Sequence, residues 1–396
     1  MVSDERAAPA SPVGIAIVAG EASGDLHGAR LVEALRRREP RLSFAGMGGT
    51  RMREAGVRLL ADAGETAVVG IAELWEKRRA LRTALLMLRA HLAATRPALL
   101  ICVDFPDFNL LLARTAHRLG IPVCYFISPQ IWAWRSGRIR TIRRLVRKML
   151  VLFPFEEALY RAAGVDVAFV GHPLLDALAS VPGRDACRTA LAIAESERTV
   201  ALLPGSRTAE IRRHLPILLG AAARIRAAEP DVTLLLGLSE TIDRQAVVAA
   251  AAHAGVPVRV IQGRTPEVMR AADFLLAVSG TVTLEAAILG TPMLITYRVS
   301  PVSGWLLRML VRVRFAGLPN LIAGGAIVPE LLQRDATPER LAAAALEVLR
   351  SAPRQAAMRD ALGDVRRRLG DPGAVERAAR EVLMLLPRPP ASVPSP

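Results

Sequence analysis

The chain has 396 residues, 52% of them hydrophobic and 22% charged; this excludes a disordered composition and makes two domains, each with its own core, the natural organisation. A formal net charge of +15, carried almost entirely by arginine, suits polyanionic partners such as acidic phospholipid, phosphorylated substrates or nucleic acid. Cys102, Cys124 and Cys187 show no CxxC spacing, which argues against a disulfide framework or a structural zinc site and fits a reducing cytosol.

Residues 1–12 are rich in alanine, proline and serine and are predicted to be disordered. They hold acids and no apolar core, so no signal peptide is expected. No uncharged apolar run reaches the ~20 residues of a spanning helix, so a soluble or peripheral protein is expected. From residue 13 onward, short β-rich runs alternate with Gly or Pro turns and longer helical stretches. In the first half the runs are GIAIVA, LSFAGM, ALLICVD, PVCYFIS, KMLVLF and DVAFVG; in the second, TVALLPG, VTLLLGL, VRVIQG, FLLAVSG and PMLITYR. Near-continuous apolar strands separated by helices predict parallel sheets covered on both faces. The expected fold class is α/β, with two doubly wound, Rossmann-like parallel-sheet domains facing a cleft. The first domain spans 13–180 and the second 190–345. Closing helices run over 346–386 with their packing partner left open, and 387–396, PRPPASVPSP, form a disordered tail.

Ligands of open α/β sheets bind beyond the carboxyl ends of the strands. The unusual polar residues of this chain collect there. GIAIVA runs into Gly20-Glu21-Ala22-Ser23-Gly24-Asp25, and ALLICV into Asp104-Phe105-Pro106-Asp107-Phe108-Asn109. TVALL runs into Pro204-Gly205-Ser206-Arg207, and FLLAV into Ser279-Gly280-Thr281. In the last stretch, Ser279 or Thr281 suits a helix N-cap, and Gly280 allows a ligand close to the backbone. Free N–H groups at the positive end of that helix suit a phosphate, and Glu285, a turn further on, suits two ribose hydroxyls. The alternative is an ordinary capped helix with a solvated glutamate. Gly205, Ser206 and Arg207 offer a tight turn, a donor and a bidentate charge for a second phosphate contact; here the alternative is a plain turn.

Asp104 ends its strand before a Phe-Pro turn and is the leading catalytic carboxylate, with a backbone-bonded structural role as the alternative. Asp107 reads as a helix cap. Glu21, Ser23 and Asp25 either bind sugar hydroxyls or cap the first helix, and His27 and His172 read as structural hydrogen-bonders. No Asp-x-Asp pair, His-rich spacing, Walker A or GxGxxG pattern occurs. A nucleotide diphosphate is therefore expected on backbone amides and Arg207 rather than on magnesium, with no cofactor.

Three basic segments carry aromatic residues. SPQIWAWRSGRIRTIRRLVRK sets Trp132, Trp134 and Arg135 before an arginine run. Residues 305–315 place Trp305, Arg308 and Arg312 on one helical side, and residues 74–89 place Trp75 beside arginines. Such segments suit an anionic bilayer surface, or are simply core-facing helices with a solvated side. Nucleic acid is disfavoured: aromatics are 4% of the chain and no RRM or helix-turn-helix signature is present.

The blocks AGEASGDLHGA, GMGGTRM, VDFPDFN, SPQIWAWRSGRI, FPFE, VGHPLLD, LLPGSRTAEI, SGTVTLEAAILGTPM and LPNLIAGGAIVPELLQ, in this order, resemble the lipid-A-disaccharide synthases, GT-B-fold glycosyltransferases of Gram-negative bacteria. The likeness covers about residues 14–385, with Ala22 and Gly49-Thr50 as small departures. It implies an inverting, metal-independent transfer from UDP-2,3-diacylglucosamine to 2,3-diacylglucosamine 1-phosphate (lipid X), releasing UDP. Asp104 would be the base. Gly205, Ser206, Arg207, Ser279, Gly280, Thr281, Thr283, Glu285 and Asn320 would bind the donor. Glu21, Ser23, Gly24, Asp25, Asn109, Trp132, Trp134 and Arg135 would bind the acceptor. Trp75, Trp305, Arg308 and Arg312 would touch the membrane, placing the protein in the cytoplasm, peripheral at the inner face of the inner membrane. Room is left for a homodimer. The competing readings are another GT-B enzyme using a UDP-sugar (an epimerase, or a transferase with a soluble acceptor) and a non-catalytic phospholipid- or nucleotide-binding protein.

Overall fold

Every apolar run named above becomes a strand, and all the strand pairs are parallel. A computed structural model describes residues 13–63, 71–129, 137–299 and 314–387, with side chains of the helix Ile71–Thr95 described from residue 78 onward. The strands are β1 (Val13–Ala19), β2 (Leu42–Gly48), β3 (Arg58–Asp62), β4 (Leu99–Val103), β5 (Val123–Phe126), β6 (Lys148–Val151) and β7 (Val167–Phe169) in one sheet. The other sheet holds β8 (Thr199–Leu203), β9 (Thr233–Leu238), β10 (Val258–Gln262), β11 (Phe274–Val278), β12 (Met293–Tyr297) and β13 (Glu330–Leu332). Central strands such as LLICV and FLLAV are buried at every position, because helices cover both faces of a parallel sheet. Edge strands β3 and β13 are half-buried, so they lack the continuous apolar run that reveals the others.

The chain forms two units: Met1–Pro173 with Pro372–Pro396, and Leu174–Asp371. The last helix, Ala374–Leu383, thus belongs to the first unit, where Glu376 bonds Arg37 and Arg38 and Glu381 pairs with Lys148. In the first sheet the strand order is β3-β2-β1-β4-β5-β6-β7; in the second it is β10-β9-β8-β11-β12-β13. Each order reverses once, between β1 and β4 and between β8 and β11. At such a reversal the flanking helices leave on opposite faces and open a crevice at the carboxyl ends. Of the strand-end loops singled out by sequence, which also include Gly48-Gly49 at the end of β2 and Ser128-Pro129-Gln130 after β5, those that follow β1, β4, β8 and β11 flank these reversals.

Candidate functional site

In the second unit, β11 passes straight into the helix Thr281–Leu289, whose N-cap is Gly280 with extended backbone and no side-chain cap. This corrects the expected capping by Ser279 or Thr281. Ser279 Oγ donates to the Ala316 carbonyl at 3.0 Å. Thr283, fully buried, sends both its hydroxyl (2.8 Å) and its amide (3.1 Å) to the Gly280 carbonyl. Thr283 is therefore spent on the turn and drops out as a diphosphate ligand. The amides of Thr281 and Val282 have no partner among the described residues, and a Cβ at Gly280 would meet nothing within 4 Å. Two N–H groups at a positive helix end thus face open space.

That space is a cavity of about 620 Å³ lined by Gly205, Arg207, Glu210, Thr281, Val282 and Glu285. Glu285 is half-buried, and burial raises its carboxyl above the usual glutamate range. The far end of the cavity is lined by Ser239, Glu240, Thr241, Gly263 and Thr265, from the loops after β9 and β10. The Gln262 amide braces these loops by donating to the carbonyls of Ser239, Glu240 and Ile242. Sequence reading missed this end; the signal was Gly263 and Thr265 in the Gly-Arg-Thr stretch after VRVIQ.

The loop after β8 differs from expectation. Its amides at Ser206 and Arg207 point to Glu210 Oε2, at 3.1 and 3.3 Å, and Arg207 Nη1 lies 3.3 Å from Glu210 Oε1. Gly205 has φ +111°, and a Cβ there would lie 2.6 Å from Glu210 Oε2. The Arg207 side chain is 80% exposed, so its pairing with Glu210 is open to solvent. His214, one turn along the helix Thr208–Ala228, was also missed. Its Nε2 accepts from the Arg298 amide at 3.0 Å, which puts the proton on Nδ1, 2.9 Å from the Glu210 carbonyl. Burial lowers its pKa and keeps it neutral, and its ring stacks on Tyr297. One histidine thereby ties the Arg207–Glu210 turn to the end of β12.

Asn320 requires a second correction. It is fully buried and its amide is saturated. Nδ2 donates to Val328 O (2.9 Å) and Glu330 Oε1 (2.7 Å), while Oδ1 accepts from the amides of Ile327 and Val328. It shapes the turn leading to β13 and has nothing left for a donor nucleotide.

In the first unit, the strain sits where β4 and β5 end. Asp104, Phe105 and Ile127 have φ of +45°, +48° and +68°, a region costly for residues with a Cβ and most so for a β-branched one. The Asp104 carbonyl is held by Tyr125 Oη at 2.6 Å and Asn109 Nδ2 at 2.7 Å. The Phe105 ring lies where a Cβ of residue 20 would be, 2.1 Å from it, which only Gly20 permits. The Asp104 side chain, half-buried, opens on a cavity of about 280 Å³ with Pro106, Ile127, Ser128, Leu152, Phe153 and Glu156. Burial pushes its carboxyl up; the Phe105 amide offsets part of this, and the nearby Glu21 charge adds to it. Beneath lies a buried pair, Ser128 Oγ of the polar loop that follows VCYFI donating to Glu156 Oε1 at 2.6 Å; of the two, Glu156 is the residue that sequence reading did not single out. Glu156 Oε2 also takes the Phe153 amide at 3.2 Å, pinning the FPFE turn at the start of the helix Pro154–Ala162.

The expected acceptor ligands divide. Glu21 and Ser23 are exposed, and Glu21 is close enough to raise the Asp104 carboxyl. Gly24 is buried against Ala19 and serves helix–strand packing. Asp25 is a correction to both sequence alternatives: its buried carboxylate accepts the amides of Gly49 (2.6 Å), Arg51 (3.0 Å) and Met52 (3.0 Å), capping the helix Thr50–Glu54. Asn109 is likewise corrected, since it is fully buried and braces the Asp104 turn rather than meeting a ligand. Asp107 pairs with Arg138. His27 and His172 lie together; burial and Arg30 lower the first to about 4, and burial and His27 lower the second to about 3. Trp132, Trp134, Arg135, Trp305, Arg308, Arg312 and the Trp75 side chain lie outside the described residues, as do the two expected disordered ends.

The family profile described as Lipid-A-disaccharide synthetase matches residues 15–380. The lipid-A-disaccharide synthase of Syntrophus aciditrophicus (strain SB) is 48% identical over 373 residues, covering 94% of this chain and 97% of that protein. That of Myxococcus xanthus (strain DK1622) is 46% identical over 378 residues, covering 95% and 98%. Among solved structures, UDP-GlcNAc 2-epimerase from Neisseria meningitidis bound to UDP-GlcNAc is similar at TM-score 0.62 and 12% identity, covering 94% of this chain and 100% of that one. CalG4, the calicheamicin glycosyltransferase, is similar at TM-score 0.59 and 14% identity, covering 94% and 98%. The structural likenesses show the fold alone, the GT-B architecture.

Proposed function

Because this chain belongs to the lipid-A-disaccharide synthase family, its activity is the glycosyl transfer that makes lipid A disaccharide, and we propose how its residues divide that work. The donor, UDP-2,3-diacylglucosamine, binds the second unit. The free amides of Thr281 and Val282 take the diphosphate, Glu285 takes the ribose, and the loops after β9 and β10 take the base. The observation that carries this reading is the cavity itself, which joins two unpartnered amides, a half-buried carboxylate and an arginine at a strand-order reversal.

The acceptor, lipid X, offers its 6-hydroxyl to Asp104. Inverting transfer needs a base that takes this proton as the anomeric carbon is attacked. A free aspartate, with a pKa of about 4, accepts it only late in bond formation. Burial of Asp104 raises its basicity and narrows that gap. The leaving UDP gains charge at the same moment, and preorganised amides with the Arg207 guanidinium stabilise it; one such donor is worth about 3–4 kcal/mol. The transfer is proposed to run without a metal.

Among the described residues no helix is long and apolar enough to cross a membrane. The helix Ile71–Thr95 leaves Leu86 and Met87 exposed, at 56% and 47%, on a face that also bears exposed Arg82. With the basic aromatic segments, this supports peripheral binding at the cytoplasmic face of the inner membrane. Incubation with both acylated sugars in EDTA should release UDP, and neither sugar alone should. UDP release with a non-acylated acceptor, or a strict magnesium requirement, would overturn the substrate or the metal-free part of the reading respectively. Sedimentation with anionic but not zwitterionic vesicles tests the membrane part.

A further inference from the structure

The Glu210 carboxylate sits in a donor set suited to a phosphate. Two successive main-chain amides, of Ser206 and Arg207, converge on Oε2, and the Arg207 guanidinium meets Oε1. Consecutive amides after a positive-φ glycine form an anion-binding concavity, and a guanidinium completes it. An ordinary capping box accounts for less. There the third helical residue reaches back only to the N-cap amide, here that of Arg207; the Ser206 amide lies outside the helix. Gly205 both turns the loop and leaves room, since any side chain there would strike the carboxylate. Glu210 also lines the same cavity as Thr281 and Glu285.

We propose that Glu210 is a resident substitute for the donor's diphosphate: it holds the Ser206 and Arg207 amides until a diphosphate displaces it, and its return helps expel UDP. The inference rests on reading the cavity as a UDP site. Two anions cannot share one pair of amides without strong repulsion, so the carboxylate must swing away as the nucleotide enters. His214 holds the Glu210 carbonyl fixed, which confines the exchange to the side chain. The exposed Arg207 head follows whichever anion is present.

The test uses calorimetry of the full chain with UDP and with uridine, for wild type, Glu210→Gln and Glu210→Ala, with thermal unfolding to confirm folding. Removing the charge should tighten UDP binding by about tenfold and leave uridine binding unchanged. It should also deepen product inhibition by UDP and lower kcat while lowering the donor KM. Weaker UDP binding in both variants would make Glu210 a scaffold for the loop and overturn the proposal, as would unchanged UDP affinity. If wild type and variants alike bind neither uridine nor UDP, the reading of the cavity itself fails, and the inference with it.

Discussion

Tyr125 Oη donates to the main-chain carbonyl of Asp104 at 2.6 Å, from the strand adjacent to the one that Asp104 ends. The bond fixes a left-handed turn that Asp104 and Phe105 would not hold by themselves. Tyr125→Phe keeps the ring and removes the hydroxyl. It should cost about 1–2 kcal/mol in unfolding free energy and cut turnover, while UDP affinity measured by calorimetry stays at the wild-type value.

Asp104→Asn should lower kcat by roughly 10²–10⁴ with the donor still bound. Because burial raises the Asp104 carboxyl and only the ionised form accepts a proton, kcat/KM of the wild type should fall as pH drops through that raised value. The acidic limb should therefore lie above the ordinary aspartate pKa of about 4. A steady-state pH–rate profile checks both points, and a variant turning over near the wild-type rate removes Asp104 as the base.

Gly20→Ala places a methyl group against the Phe105 ring. Overpacking of this kind costs about 1–3 kcal/mol, and here it presses on the strained turn that carries Asp104. Melting temperature and turnover should fall together. Phe105→Ala in the same background should restore part of the stability without restoring turnover.

Glu285→Gln should weaken UDP binding by about tenfold, the loss expected for one charge-assisted hydrogen bond pair. Its effect on stability runs the other way. A carboxyl raised by burial favours the folded state most when protonated. Its contribution is full below the unfolded pKa and is lost as pH rises through the folded one. At neutral pH the glutamine variant should therefore melt higher than wild type, and differential scanning calorimetry with and without UDP reads both effects.

His27 and His172 are neutral in the fold, with pKa values lowered to about 4 and about 3. Their depressed values mean that stability is full above the unfolded histidine pKa of about 6.5 and declines as pH falls from there toward the folded values. The melting temperature should drop across that window. His27→Gln should flatten the drop, and an unchanged slope would show that other groups govern acid unfolding.

The parallel sheets were legible because buried strands such as LLICV and FLLAV are apolar at every position, whereas β3 begins at Arg58 and β13 is three residues long. Position after a strand pointed to Asp104, Gly280 and Glu285. Position alone did not separate residues that face a ligand from residues that hold the loop. Asp25, Asn109, Thr283 and Asn320 stand in the same loops or turns, yet each is buried and bonds backbone groups of its own fold: the Asp25 carboxylate, the Asn109 Nδ2, the Thr283 hydroxyl and both ends of the Asn320 amide. A short polar side chain beside a glycine turn serves either purpose, and only the partners decide. His214 and Glu210 were missed for a related reason: their roles depend on Arg298 and on the Ser206 amide, contacts invisible in a helical pattern.

The pairing of Arg37 with Glu376 spans 339 residues of chain. During synthesis, the helix Ala22–Arg38 emerges long before its packing partner Ala374–Leu383 exists. The ribosome will have delivered all of Leu174–Asp371 first, so that middle portion is free to fold while the earlier one still waits for its last piece. A truncation just before residue 372 should therefore yield a soundly folded second unit attached to a first unit that proteases cut readily.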